Sequence, residues 1–399
     1  MIALWGRASQ VELAAPLERA VWLLIDRETA TSHRHARAYL VGDEPEDELP
    51  ECDLYVTHHG RTLNGGRSFI QLPERFDYLT AGDILGFDSK GERVNVLWRH
   101  ESLQNSVLLT ERCDHYCLMC SQPPKNVDDD HLLDNAFELV RLLPQTTREI
   151  GFTGGEPTLY GDSLIKLLRL CRNLIPHSAV HVLSNGRRFS NLDFALDWAG
   201  IDNPNQMVGI PIYGPEPALH DYVVQSQGAF DHTVAGILNL GRLQQRIEIR
   251  VVVHKQTAPH LVEIAEFISR NLPFVEQVAL MGLEMIGFAR ANINDIWIDP
   301  IDYRNELTEA VTLLDRKGLR ALVYNHPLCL IDREVWPYAV RSISDWKNEY
   351  HPECLRCSVA HDCSGFFYSA KYRHSDHIKA IDPRGDAMHA LPLLELAGR

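Results

Sequence analysis

The sequence predicts an α/β fold on a parallel sheet, with a small β-rich segment before it and a cysteine-rich segment after it. Three observations carry this. From residue 106, apolar runs of strand length alternate six times with stretches of helical period. Before that point the texture is strand and turn, with no helical period. Seven of the nine cysteines fall into two groups, one just after the first strand of the alternating region and one beyond its last. These shifts divide the chain into a β-rich domain over 1–104, an alternating core over 105–290 and a C-terminal extension over 291–399.

In the first segment, Ala20–Ile25 and Arg37–Val41 read as short strands. Glu44–Glu48 is acidic and turn-like, a solvated loop. Asn64-Gly65-Gly66 is a turn signal, and 81–87 with 93–98 flank a short loop, as a hairpin does. The segment serves either as structural cover for the core or as a docking platform for a substrate or leader peptide. Cys52 stands alone there and reads as a free thiol.

The core begins with the strand Ser106–Thr110, followed directly by a cysteine loop. Leu132, Leu133, Ala136, Phe137, Val140 and Leu143 share one helical face. Strands follow at 149–152, 179–183, 206–212, 247–253 and 276–281. Asp162 or Ser163 caps a helix whose inward face includes Cys171, an inert core position. Further helices are expected near 191–198, 230–243 and 258–270. Repeated strand–helix units imply right-handed crossovers, and ligands then sit beyond the carboxyl ends of the strands. The cysteine loop, Gly154–Pro157 and Ser184-Asn185 all fall at such ends. After about residue 290 the alternation weakens, leaving a helix over 303–314 and a strand over 321–324. Beyond Phe367 the tail is His-rich and irregular, and there are no repeats.

A net charge of −15 and the lack of basic runs argue against a nucleic-acid partner. No apolar run is long enough to span a membrane, and the N-terminus lacks a signal-peptide pattern. A cytoplasmic location is the default expectation, and there clustered cysteines bind metal rather than form disulfides.

Cys113, Cys117 and Cys120 stand at spacing C-x3-C-x2-C. Three thiolates on one short loop suit an iron–sulfur cube with one iron left open to another ligand. A structural zinc site is the alternative, but zinc takes four protein ligands and no fourth cysteine lies nearby. The cysteine spacing, with Gly154-Gly155-Glu156-Pro157 one strand–helix unit downstream, resembles the radical S-adenosylmethionine (SAM) superfamily.

The resemblance implies a partial (β/α)6 barrel, open on one side, over roughly 105–290. It implies a [4Fe–4S] cluster on the three cysteines, with SAM chelating the fourth iron. Reductive cleavage of SAM then yields a 5′-deoxyadenosyl radical that removes hydrogen from an unreactive C–H bond. Gly154, Gly155, Glu156 and Pro157 correspond to the segment that binds the SAM amino group. Ser184 and Asn185 resemble positions that contact the ribose or carboxylate, and Arg250 is a candidate partner for the carboxylate. Gly282-Leu283-Glu284 and Gly287 resemble the adenine side. Met119 stands where many members carry an aromatic, and its thioether can pack on adenine.

Cys329, Cys354, Cys357 and Cys363 form the second group. Four thiolates can fully ligate an auxiliary [4Fe–4S] cluster; a structural zinc site is the alternative. The group resembles the shortened auxiliary-cluster domains of peptide-modifying radical SAM enzymes. The stretches 108–113, 120–124, 281–284 and 363–367 resemble the radical SAM maturase C of the His-Xaa-Ser system. That resemblance implies a ribosomally made precursor peptide as substrate, a partner radical SAM maturase, and flavodoxin or ferredoxin as reductant. The alternatives are a radical SAM enzyme acting on a small molecule or nucleoside, and a non-catalytic iron–sulfur scaffold.

Overall fold

Residues 106–340 build one sheet of eight strands in a computed structural model, which describes residues 4–28, 36–341 and 348–382. The part of the expected His-rich tail beyond residue 382 lies outside the described residues. By compactness the chain falls into two units. The first holds Met1–Leu109, Asp129–Gly151 and Lys166–Ala179; the second holds Thr110–Asp128, Phe152–Ile165 and Val180–Arg399.

The first unit carries its own eight-stranded sheet: β1 (Trp5–Arg7), β2 (Gln10–Glu12), β3 (Val21–Ile25), β4 (Arg37–Val41), β5 (Leu54–Thr57), β6 (Phe69–Gln71), β7 (Ile84–Phe87) and β8 (Arg93–Trp98). Their order is β1-β8-β7-β3-β4-β5-β6-β2. Strands β3 to β6 pair in parallel, and β7 with β8 is the expected hairpin. Asp88 accepts the amides of Glu92 and Arg93 there, which fixes the loop. β1 and β2, joined by Ala8-Ser9, are the two outermost strands and pair with β8 and β6. Alternation puts Leu24, Leu54, Val56 and Ile70 in one core, and Ile25, Tyr39, Tyr55 and Phe69 in another. A sheet buried on both faces shows as near-continuous apolar runs, which is why β3 and β4 stand out in the sequence. β1, β2, β5 and β6 are three or four residues long and give too little pattern to read.

The second sheet runs β9 (Ser106–Thr110), β10 (Glu149–Gly154), β11 (Ala179–Leu183), β12 (Gln206–Pro211), β13 (Arg246–Val253), β14 (Gln277–Gly282), β15 (Arg320–Tyr324) and β16 (Ala339–Val340), in that order across the sheet. It is a curled, open half-barrel, and the pairings from β11 to β16 are parallel. Its helices are α1 (Asp130–Leu142), α2 (Asp162–Leu174), α3 (Leu192–Ala199), α4 (Pro217–Val224), α5 (Ala229–Arg242), α6 (Leu261–Asn271), α7 (Gly287–Ala291), α8 (Ile293–Ile296) and α9 (Arg304–Arg316). Asn191 caps α3 by accepting from the amides of Asp193 and Phe194. Cys171 is fully buried on α2.

Two features depart from the sequence reading. The sheet does not end with the sixth strand: β15 pairs with β14 and β16 with β15. Two short helices and a 3-10 turn over Pro300–Tyr303 intervene before α9, and they dilute the periodicity that would have announced another unit. The other is α4, which begins with Pro217 at its first turn and is too short for a periodic signal. Among the described residues no helix is long and apolar enough to cross a membrane.

Candidate cofactor and metal sites

The loop after β9 carries Cys113, Cys117 and Cys120, all half-buried free thiols. It is held mostly by its backbone. The amides of Tyr116 and Leu118 donate to the carbonyls of Val224 and Val223 at the end of α4, at 3.1 and 2.9 Å. The amide of Phe288 in α7 donates to Cys120 O, and Asn292 Nδ2 to Leu118 O, both at 2.8 Å. Gly287 fits against this loop only as glycine: its φ is +57°, and a Cβ would stand 2.5 Å from Ser121 O.

Burial pushes the Cys113 thiol up to about 12 and raises Cys117 and Cys120 as well. Cys120 as a thiolate would further raise both of the others, so the three sulfurs lie within electrostatic reach. Such a set holds its protons until a cation replaces them, and metal loading therefore releases protons.

Gly154–Pro157 runs alongside the start of this loop. The amide of Gly155 donates to Thr110 O and that of Glu156 to Arg112 O, both at 2.8 Å. A Cβ on Gly155 would lie 2.0 Å from Arg112 O, so the close approach requires glycine. Gly154 has φ +148°, which favours glycine too.

Glu156 is 1% exposed, and its carboxylate is already engaged. Oε1 accepts from Thr158 N, Thr158 Oγ1 and Ser184 Oγ at 3.0, 2.6 and 2.8 Å; Oε2 accepts from Asn185 N at 2.6 Å. Burial raises its pKa, and these donors act against that rise. Asn185 Nδ2 then donates to Asp114 Oδ1 at 2.6 Å, and Arg187 Nη1 to Asp114 Oδ2 at 3.2 Å. One polar chain thus joins the cysteine loop, Gly154–Pro157 and the end of β11.

Arg250 and Met119 stand apart from that chain. Arg250 Nη1 donates to Glu248 Oε1 at 2.5 Å, and its Nη2 lies 3.0 Å from Met281 Sδ. Glu248 also accepts from Gln277, with His181 at 3.7 Å, and Gly209 leaves room for Arg250 and His181. This is a polar layer across β11, β13 and β14. Met119 is buried with Tyr213, Val223, Val224, Ala289 and Ile296 beneath the cysteine loop.

Residues 107–268 match the radical SAM superfamily. This stretch is a radical SAM domain. The match starts in β9, ends in α6, and includes the cysteine loop, Gly154–Pro157 and Ser184-Asn185. The superfamily implies a [4Fe–4S] cluster and SAM.

Solved structures that resemble the chain include SuiB of Streptococcus suis bound to its precursor peptide SuiA, at 16% identity and TM-score 0.44, over 56% of this chain and 48% of that one. They also include anSMEcpe with bound AdoMet and the Cp18Cys peptide, at 15% identity and TM-score 0.48, over 69% and 91%. A third is a radical SAM methyltransferase from Sphaerobacter thermophilus, at 15% identity and TM-score 0.44, over 62% and 74%. The chain spans about half the length of SuiB. No curated protein matches the chain.

The second cysteine set lies C-terminal to the matched domain. Cys329, Cys354, Cys357 and Cys363 line one cavity of about 300 Å³ with Leu328 and Ile381. The amide of Leu328 donates to Cys363 Sγ at 3.3 Å, and that of Ile381 to Cys357 Sγ at 3.4 Å. Burial raises Cys329 and Cys354, and both also feel Cys363. A ladder of β17 (Asn348–Glu349) and β18 (Phe366–Phe367) brings the ends of this segment together. Among the described residues, no three His, Cys, Asp or Glu side chains converge tightly enough to hold one metal ion. A cube asks for something else: thiolates spaced around it, one to each iron. Both sets offer the sulfur donors such a cluster takes, and both have backbone amides aimed at sulfur, His115 N at Cys113 in the first and Leu328 N and Ile381 N in the second.

Sequence reasoning missed Asp114, Thr158, Arg187, Phe288 and Asn292. Asp114 lies between two of the cysteines, and that position was its only signal. Thr158 acts locally, two residues beyond Glu156, and Arg187, Phe288 and Asn292 act across long sequence separations that leave no local pattern.

Proposed function

We propose that this chain is a radical SAM enzyme that modifies a ribosomally made peptide. The observation that carries the enzyme reading is the closed join between the cysteine loop and Gly154–Pro157, inside the matched domain. Cys113, Cys117 and Cys120 would hold a [4Fe–4S] cluster. With SAM bound, that group supplies a strong hydrogen-abstracting radical. The chain's own residues bind and orient. Gly154 and Gly155 leave bare backbone beside the thiols, where an ammonium can approach carbonyl oxygens. Glu156 braces that backbone through Thr158, Ser184 and Asn185, and Asp114 extends the brace into the cysteine loop. Pro157 starts the 3-10 turn that carries Thr158. Arg250 keeps Glu248 company in the sheet, and its second guanidinium edge is the candidate for the SAM carboxylate.

Cys329, Cys354, Cys357 and Cys363 would hold an auxiliary [4Fe–4S] cluster. Their shared cavity and the amides aimed at Cys357 and Cys363 support thiolates that ligate a metal centre, and the resemblance to shortened auxiliary-cluster domains favours a cube, with a structural zinc as the alternative. The peptide assignment rests on the four sequence stretches that resemble the His-Xaa-Ser maturase C, together with the shortened second cysteine set. A partner maturase and a flavodoxin or ferredoxin reductant belong to the same reading.

The test is co-expression with a precursor peptide carrying His-x-Ser repeats, with and without the partner maturase, followed by mass spectrometry of the peptide. A SAM-dependent mass change supports the peptide reading. An unmodified peptide beside active SAM cleavage would redirect the search to small molecules.

A further inference from the structure

We propose that a cavity beyond β14 and β15 binds a peptide unit that presents an apolar or aromatic side chain and a carboxylate, with Arg373 as the carboxylate's partner and Ser369 as a hydrogen-bonding contact. This rests on the enzyme reading above and names the substrate chemistry for it.

The cavity and its open mouth together enclose about 680 Å³. It opens beyond Val253, Gly282 and Asn325, at the carboxyl ends of β13, β14 and β15, where ligands of open α/β sheets gather. Its walls link the two cysteine sets. Leu283, Met285, Trp297 and Ile298 line it, and they flank the segment whose Phe288 and Asn292 hold the first cysteine loop. Pro327 and Phe366 line both this cavity and the one formed by the second set. A group seated here shares Pro327 and Phe366 with the second set's cavity and meets Leu283, which packs against the Met119 cluster of the first loop.

Three features define the ligand. Trp297, Phe366 and Phe367 give the cavity an aromatic wall, which suits a Phe-like or branched side chain, beside polar groups such as Asn325 and Ser364. Ser369 is 4% exposed, lines the cavity, and its Oγ has no hydrogen-bond partner. A buried hydroxyl left unmatched costs stability, and a ligand amide or carbonyl would satisfy it. Arg373 lies 4.3 Å over the Trp297 ring at the rim. Acidic residues outnumber basic ones 54 to 39 in this chain, yet among the described residues no carboxylate pairs with Arg373. Stacking fixes the plane of a guanidinium and leaves its N–H edge open for a bidentate carboxylate. The neighbouring Arg290 is held over Tyr372 at 4.0 Å, which fixes the segment carrying Arg373.

The test is titration calorimetry on the full chain with reconstituted clusters, without SAM or reductant. The probes are N-acetylphenylalanine, its amide, and the blocked dipeptide N-acetyl-Phe-Glu-amide. At least one carboxylate probe should bind about tenfold or more tighter than the amide. Arg373→Gln should bring it to the amide's level, Arg373→Lys should keep part of the difference, and Ser369→Ala should weaken all probes. Ala370→Trp, which puts a bulky ring on the cavity wall, should block them all. The tighter carboxylate probe tells a terminal from a side-chain carboxylate. Equal binding of acids and amide, an Arg373→Gln variant that binds as wild type, or no heat from any probe would overturn the proposal. SAM cleavage is assayed separately on the same preparation: cleavage without probe binding sinks the pocket alone, and binding without cleavage sinks the enzyme reading alone.

Discussion

Glu156 shows how a buried carboxyl group is held without a cation. Four donors surround its carboxylate, and each would be left unmatched if it were removed. Glu156→Ala should therefore lower stability by about 2–4 kcal/mol in denaturant unfolding. Glu156→Gln should cost less, because an amide keeps one oxygen but sets an NH₂ against a donor. Equal stability of wild type and both variants would remove the brace. Histidines set the acid limit. His326 Nδ1 lies 2.8 Å from Tyr324 O and its Nε2 2.9 Å from Tyr303 Oη, an arrangement the neutral ring satisfies with Nδ1–H donating and Nε2 accepting. Burial holds His326 and His254 down to about 4, from an ordinary 6.5. The unfolded chain takes up protons near 6.5 and the native rings do not, so stability falls as pH drops from about 6.5 to about 4. Unfolding midpoints measured across that window should decline, and less steeply in a His326→Gln variant.

Elements explain why the cofactor segments meet. Gly155 lets β10 end against the cysteine loop, and the backbone carbonyl of Arg112 cannot yield to a Cβ at 2.0 Å. Overpacking of this kind costs about 1–3 kcal/mol, so Gly155→Ala should raise the SAM dissociation constant about tenfold with the far-ultraviolet circular dichroism unchanged. Wild-type SAM affinity in that variant would dissolve the close approach. The strands behind this site were legible because buried parallel strands read as apolar runs bounded by turns. The supports of the loop were not. α4 has eight residues and no period to read, and its carbonyls receive Tyr116 and Leu118 through backbone alone. Glu156 was legible as part of a motif, but its partners Thr158, Ser184 and Asn185 turn it into a brace as well as a boundary of the site.

At the scale of the whole molecule, the sequence announced an α/β core with cysteines at two places, and the structure adds what lies between them. β15 and β16 carry the sheet from the first set toward the second, and the long 283–319 connection hid that continuity. If each set holds a cube, the reconstituted chain should carry about eight iron atoms, and Cys354→Ala with Cys357→Ala should leave about four. Zinc in place of the second four would assign that set as structural. The most direct measurement is 5′-deoxyadenosine formation by the anaerobically reconstituted, reduced protein, beside a variant with Cys113, Cys117 and Cys120 replaced by alanine. Wild type should form 5′-deoxyadenosine and methionine, and the variant should form none while still holding about four iron atoms. Absence of 5′-deoxyadenosine from wild type with full iron occupancy, or equal formation by the variant, would contradict a radical SAM centre on this loop.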